Sequence, residues 1–238
     1  MGRVRCDLAE LKVQQPSLPG RLPRLAIRFR EMKSPAAPAI RRVVPEDAAA
    51  LRDVIARAFE AEPGVVALEE ALEKRSDSIG YVALMDDQVV GQVRLTRGWI
   101  DAEAELVEVL YLSPLSVAPE WQRRGIGRAL VAYAVVEAKR AAVPAIFLEG
   151  DPDFYGRLGW RPASELGVTP PSARIPKPAC QAVSFPGWQP WMRGTLVYAD
   201  TFWALDFVGL RGDRLARARA SLGDDTSSGS TGEPDAQQ

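Results

Sequence analysis

Between residues 39 and 220 apolar positions recur with a definite period, and the period changes from segment to segment. Residues 39–44 (AIRRVV) read as a short strand. Leu51, Val54, Ile55, Ala58 and Phe59 then fall on one helical face, with Glu46 and Asp47 in the first turn and Pro63-Gly64 as the stop. A second helix is expected from Val65 to about Arg75. The run YVALMDDQVVGQVRLTR (81–97) reads as two strands joined at Asp86-Asp87. VEVLYLSPLSV (107–117) is a further strand. Its Ser113-Pro114 predicts a bulge or a break in pairing, because proline donates no ladder hydrogen bond. After Gly127, Leu130, Val131, Ala134, Val135 and Ala138 recur at helical spacing among Arg128, Glu137, Lys139 and Arg140, and Pro144 closes the run. AIFLE (145–149) reads as a buried strand. Later strands are expected at 180–185 and 194–198, and a helical stretch over about 202–220.

The order β-α-α-β-β-β-α-β with a two-strand ending describes one mixed α/β domain. The helix after Gly127 is a crossover, which makes 107–117 and 145–149 parallel neighbours. Residues 1–38 (QQPSLPGRLPRLAIRFREMKSPAAPA and what precedes it) have no sustained period, and 221–238 form a Ser/Gly/Asp tail; both are expected to be disordered. The domain is thus expected over 39–200, with a helical extension over 201–220.

Charge changes this picture little. The chain of 238 residues carries a net charge of −1, made of +5 over residues 1–38, −4 over 221–238 and a mildly acidic remainder. That balance argues against a chain-wide nucleic-acid surface. No window reaches bilayer length, the start shows no signal-peptide pattern, and Cys6 and Cys180 suggest no disulfide framework. A cytoplasmic protein with no membrane or nucleic-acid partner is expected. The chain has no histidine. Triads, Cys–His pairs and general bases built on histidine are thereby excluded, as is His-ligated zinc. No metal is expected, and acid–base chemistry must rest on Asp, Glu, Tyr, Lys, Cys or water.

The segment PEWQRRGIGRALVAYAVVEAKR (119–140) places glycines and arginines directly before a helix. Glycines let the backbone approach a ligand closely, and the orphan amides and dipole of a helix start favour an anion. Alone, such a loop reads equally as a phosphate cradle or as a solvated helix start. About thirty residues later comes LEGDPDFYGRLGW (148–160). Together, Gln122-Arg-Arg-Gly125-Ile-Gly127 and Phe154-Tyr155-Gly-Arg-Leu-Gly159-Trp160 resemble the Q/R-x-x-G-x-G/A and Y-x-x-x-G-F motifs of the GNAT superfamily of N-acetyltransferases. The likeness covers roughly 39–200 and is nearest to a bacterial branch of predicted acetyltransferases. A dinucleotide-dependent oxidoreductase would need G-x-G-x-x-G after the first strand, and the chain lacks it there.

The resemblance implies a mixed, mostly antiparallel sheet with a splayed parallel strand pair and flanking helices. It implies acetyl-CoA as co-substrate, its pyrophosphate held by Gln122, Arg123, Arg124, Gly125, Ile126, Gly127 and Arg128. Backbone groups of Leu115, Ser116 and Val117 would meet the pantetheine arm, the Val117 amide serving the oxyanion. Tyr155 matches the superfamily's acid for the leaving thiolate; its bland alternative is a packed core tyrosine. A strand glutamate or a water chain would be the base. Glu149 is placed best, then Glu108, then Asp151, against readings as a strand-end acid, a sheet-face charge and a turn former. The expected function is acetyl transfer to a small-molecule or protein amine, with a homodimer among the expected assemblies. The alternative is a non-catalytic acyl-CoA-binding or sensory module on the same fold. Trp188, Trp191 and Trp203 read as core cover rather than as an acceptor pocket.

Overall fold

The computed structural model describes residues 37–60, 62 and 64–224. The expected disordered N-terminus and most of the expected tail, with Cys6, lie outside the described residues. The chain runs β1 (Ala39–Arg42), α1 (Ala48–Ala58), α2 (Gly64–Glu73), β2 (Ser78–Met85), β3 (Gln88–Ala102), β4 (Leu106–Val117), α3 (Ile126–Arg140), β5 (Ala145–Glu149) and α4 (Pro152–Gly156). Then follow β6 (Arg161–Pro162), β7 (Val168–Thr169), β8 (Cys180–Ser184), β9 (Gly194–Val197), α5 (Asp200–Ala204) and α6 (Gly212–Leu222).

One sheet in the order β1-β2-β3-β4-β5-β8-β6 carries the fold. β9 pairs with the far end of β3, and β7 pairs with β9. In the main path only β4 and β5 run parallel, as the crossover through α3 requires. The β2–β3 turn has positive φ at both Asp86 (47°) and Asp87 (61°), the type I′ geometry that matches strand twist. α3 packs its Leu130, Val131, Ala134 and Ala138 on one face of the sheet. α1, α2 and α5 cover the other face through residues such as Val54, Leu68, Leu72 and Phe202.

The Ser113-Pro114 interruption is a bulge inside one continuous strand. Val93 faces Leu115 and Leu95 faces Leu112, so Ser113 and Pro114 together oppose Arg94. An extra residue flips every later side chain to the other face. Before the bulge Val109 and Tyr111 pack toward α2, whereas past it Leu115 and Val117 pack toward α3. Beyond the same point β4 and β5 diverge. Their register ends at Tyr111 opposite Phe147, although β4 continues to Val117 and β5 to Glu149. A wedge opens between the two strands there.

The C-terminal helical stretch differs from expectation. It forms two helices separated by residues 205–211, with Asp206 (φ 58°) and Gly209 (φ 70°) in left-handed backbone. Asp206 accepts from both Arg174 and Arg211, which holds the break in place. α6 also runs two residues into the expected tail, and Asp224 accepts from the Lys177 amide at 3.0 Å. No described helix is long and apolar enough to cross a membrane.

Candidate active site

Two cavities meet at the wedge and share Leu115. The smaller, about 390 Å³, lies beside the start of α3 and is lined by Leu115, Val117, Gln122, Arg123, Gly125, Gly127, Arg128 and Phe154. Gly125 (φ 86°) is the helix N-cap, and no side chain caps the amides that follow it. The first main-chain bond across the helix start runs from the Ala129 amide to the Gly125 carbonyl at 3.0 Å. Earlier first-turn amides therefore have no place in the helical ladder and keep the anion preference of a helix start. A Cβ on Gly127 would stand 3.8 Å from Val117 and 3.9 Å from Phe154, at ordinary contact distance and without a clash. The Gln122 side-chain Nε2 donates to the Val117 carbonyl at 3.0 Å and ties the loop to the end of β4. These features fit a pyrophosphate group on the loop.

Three of the expected loop and strand residues turn their side chains elsewhere. Ser116 is buried toward the other face of the sheet, Ile126 is buried in the core, and Arg124 stacks over Trp121 at 4.8 Å. Only their backbone groups face the loop and strand from which an anion could be held.

The larger cavity, about 740 Å³, holds the expected acid and base. Glu149 ends β5 on one side of the wedge, and Leu112–Leu115 of β4 form the other. The Tyr111 hydroxyl donates to Glu149 Oε1 at 3.2 Å. The Tyr198 hydroxyl faces the same carboxyl, and so does the backbone amide of Gly209; Arg174 adds a more distant positive charge. These groups favour the carboxylate, but burial outweighs them and pushes Glu149 up to about 7. Burial and the Glu149 charge in turn push both tyrosines well above their ordinary value, and Cys180, paired with Glu149 across β8, up to about 12. A carboxyl poised near neutrality suits a general base.

Tyr155 sits in α4 against Phe154 and Trp160, with ring centroids 4.8 and 5.9 Å away. It lines the larger cavity from beside Gly150. Burial and the nearby Asp151 charge push its hydroxyl up to about 12, so it stays protonated at neutral pH. Asp151 lines the same cavity and caps α4 by accepting from the Asp153 amide at 2.8 Å. Glu108 lies away from the cavity, paired with Arg97 at 3.2 Å on the exposed sheet face. Trp188 and Trp191 pack against the core, as expected, whereas Trp203 is exposed. Sequence reasoning missed Tyr111, Tyr198 and Gly209. They stand 38 residues before Glu149, and 49 and 60 after it; no local spacing signals that they converge.

Residues 76–162 match the family model for an acetyltransferase (GNAT) domain. Over that segment the chain is similar to the GNAT acetyltransferases. Among curated proteins, the uncharacterized N-acetyltransferase YjhQ of Escherichia coli K12 is 28% identical over 130 residues, covering 52% of this chain and 71% of its own. The N-acetyltransferase YhbS of the same organism is 27% identical over 126 residues, covering 52% and 74%. A Brucella melitensis GNAT acetyltransferase solved with acetyl-CoA aligns with a TM-score of 0.53 at 26% identity, over 69% of this chain and 97% of that one. The E. coli YhbS structure, solved with CoA, aligns with a TM-score of 0.62 at 24% identity, over 71% and 93%, and attests the fold. The matched segment contains the glycine loop, Tyr111, Glu149 and Tyr155, while Arg174, Tyr198 and the 205–214 wall lie beyond it.

Proposed function

We propose that the protein is an acetyl-CoA-dependent N-acetyltransferase that works by direct attack of an amine on the thioester. The contiguity of the two cavities at Leu115 carries this reading. A pyrophosphate on the amides of 123–128 leaves the pantetheine arm to run along Leu115 and Val117 toward Glu149 and Tyr155. Acetyl-CoA supplies the activated acyl carbon. Glu149, directly or through a water, takes the proton that the ammonium must lose, since an alkylammonium near pKa 10.4 is charged at neutral pH. The amine nitrogen bonds to the acyl carbon, and the carbon–sulfur bond breaks. Tyr155 gives its proton to the departing sulfur, and the second proton lost by the nitrogen as the amide forms returns to the tyrosine oxygen through solvent. The Val117 amide end of β4 serves the developing oxyanion.

The test is thiol release from acetyl-CoA with a panel of amines, with the N-acetyl product identified by mass. Thermal stabilisation by coenzyme A is measured alongside. Transfer together with stabilisation is expected. Stabilisation without transfer to any amine would move the assignment to an acyl-CoA-binding module, and neither would remove it.

A further inference from the structure

One wall of the larger cavity comes from the connector between α5 and α6, outside the matched domain, and its Gly209 amide faces Glu149. Leu205, Phe207 and Leu210 present apolar side chains there, and Phe59, Val65 and Leu68 complete that wall. Phe207 packs against the start of α2, where a Cβ on Gly64 would stand 3.1 Å from its ring. Gly209 anchors the connector. A Cβ there would lie 2.7 Å from the Arg174 backbone, and the Leu210 amide donates to the Arg174 carbonyl at 3.0 Å.

The charges in this cavity are unevenly spent. Asp206 is shared by Arg174 and Arg211, and Glu62 pairs with Arg214, so both acids of the connector side are engaged by its three arginines. Glu149 and Asp151, at the reacting end, have no ion-pair partner among the described residues. The cavity thus offers one anionic place for a cation, at its reacting end, and apolar walls for what the cation is attached to.

Building on the transferase reading above, we propose that the acceptor is a primary monoamine on a compact apolar body, chosen by the 205–210 connector. The ammonium is drawn toward Glu149 and Asp151, and the alkyl or aryl body lies against Phe207, Leu205 and Phe59. A polyamine would bury further ammonium groups with no free carboxylate. An α-amino acid would set its carboxylate beside Glu149 and Asp151 with no cation to meet it.

The test compares 2-phenylethylamine and hexylamine with spermidine, phenylalanine and a lysine-containing peptide as acceptors. The two apolar amines are expected to have the highest kcat/KM. Phe207→Ala should raise their KM about tenfold or more, the usual discrimination of an apolar pocket. Phe207→Leu should recover part of that loss. Stabilisation by coenzyme A, unchanged in both variants, shows that they fold. Leu205→Asp, at a position 38% exposed, should improve 1,4-diaminobutane relative to hexylamine by supplying the missing second carboxylate. Preference of the parent for spermidine, phenylalanine or the peptide would overturn the inference and leave the transferase reading standing. Stabilisation by coenzyme A with no transfer to either apolar amine would also overturn it. Loss of both stabilisation and transfer would instead bring down the reading on which it rests.

Discussion

Replacing Glu149 by glutamine keeps the shape of the side chain and the oxygen that accepts from Tyr111, and removes the ionisable proton. In the folded protein burial pushes the Glu149 carboxyl up to about 7, against an ordinary value of 4.5. A raised carboxyl pKa means that the native state retains a proton the unfolded chain has released. Stability therefore falls as pH rises from the unfolded value through the folded one. Each pKa unit is worth about 1.4 kcal/mol, so the full difference is about 3 kcal/mol, and about 2.5 kcal/mol of it develops between pH 5 and pH 8.5. The glutamine variant never charges at this position and escapes that decline. Urea unfolding of both proteins at pH 5 and pH 8.5 isolates the effect, because every other titration is common to the two and cancels. The variant should gain about 2.5 kcal/mol on the parent between those values while losing about 10²-fold or more in acetyl transfer. The parent's activity should rise through about pH 7, and the variant's should lack that limb. Parallel stability curves would refute the burial argument for Glu149. An unchanged rate profile would refute its role as base.

Tyr155→Phe keeps the ring packing against Trp160 and removes the hydroxyl. It should lower turnover by about 10²-fold, measured as thiol release at saturating substrates, with stabilisation by coenzyme A unchanged. Gly125→Val forces a β-branched residue to φ 86° and should abolish stabilisation by coenzyme A, whereas Gly127→Ala, which meets nothing closer than 3.8 Å, should retain it in the same melting assay. Arg94 and Glu69 are a buried pair joined at 2.6 and 2.9 Å, with Glu69 Oε2 unpartnered. Arg94→Met should cost about 3–5 kcal/mol in denaturant unfolding by stranding that carboxylate, and adding Glu69→Leu should restore most of it.

Where a signal is local, it could be read directly. Asp86-Asp87 tolerates the left-handed backbone that a two-residue hairpin demands, Ser113-Pro114 cannot keep a regular ladder, and the 3.6-residue period of 130–138 selects the face α3 buries. The glycine loop was legible for the same reason, since φ 86° at Gly125 is a backbone demand written in a single residue.

What the chain by itself determined was therefore its period, its turns, its crossover and the two motifs that frame the loop. All of them depend on neighbours within a few residues. The three candidate bases were told apart elsewhere. Glu108, Glu149 and Asp151 look alike in sequence, yet one is paired with Arg97 on the exposed sheet face, one is buried beneath two tyrosines and one caps a helix. Desolvation and long-range approach separate them, and both are properties of packing rather than of residue type. The parallel register of β4 and β5 brings Tyr111 to Glu149, the pairing of β9 with β3 sets the start of the segment that carries Tyr198, and left-handed turns at Asp206 and Gly209 break an apparent helix so that its connector folds back over the cavity. Only the tertiary structure could decide these, because the free energy that fixes them comes from surfaces buried between segments far apart in the chain.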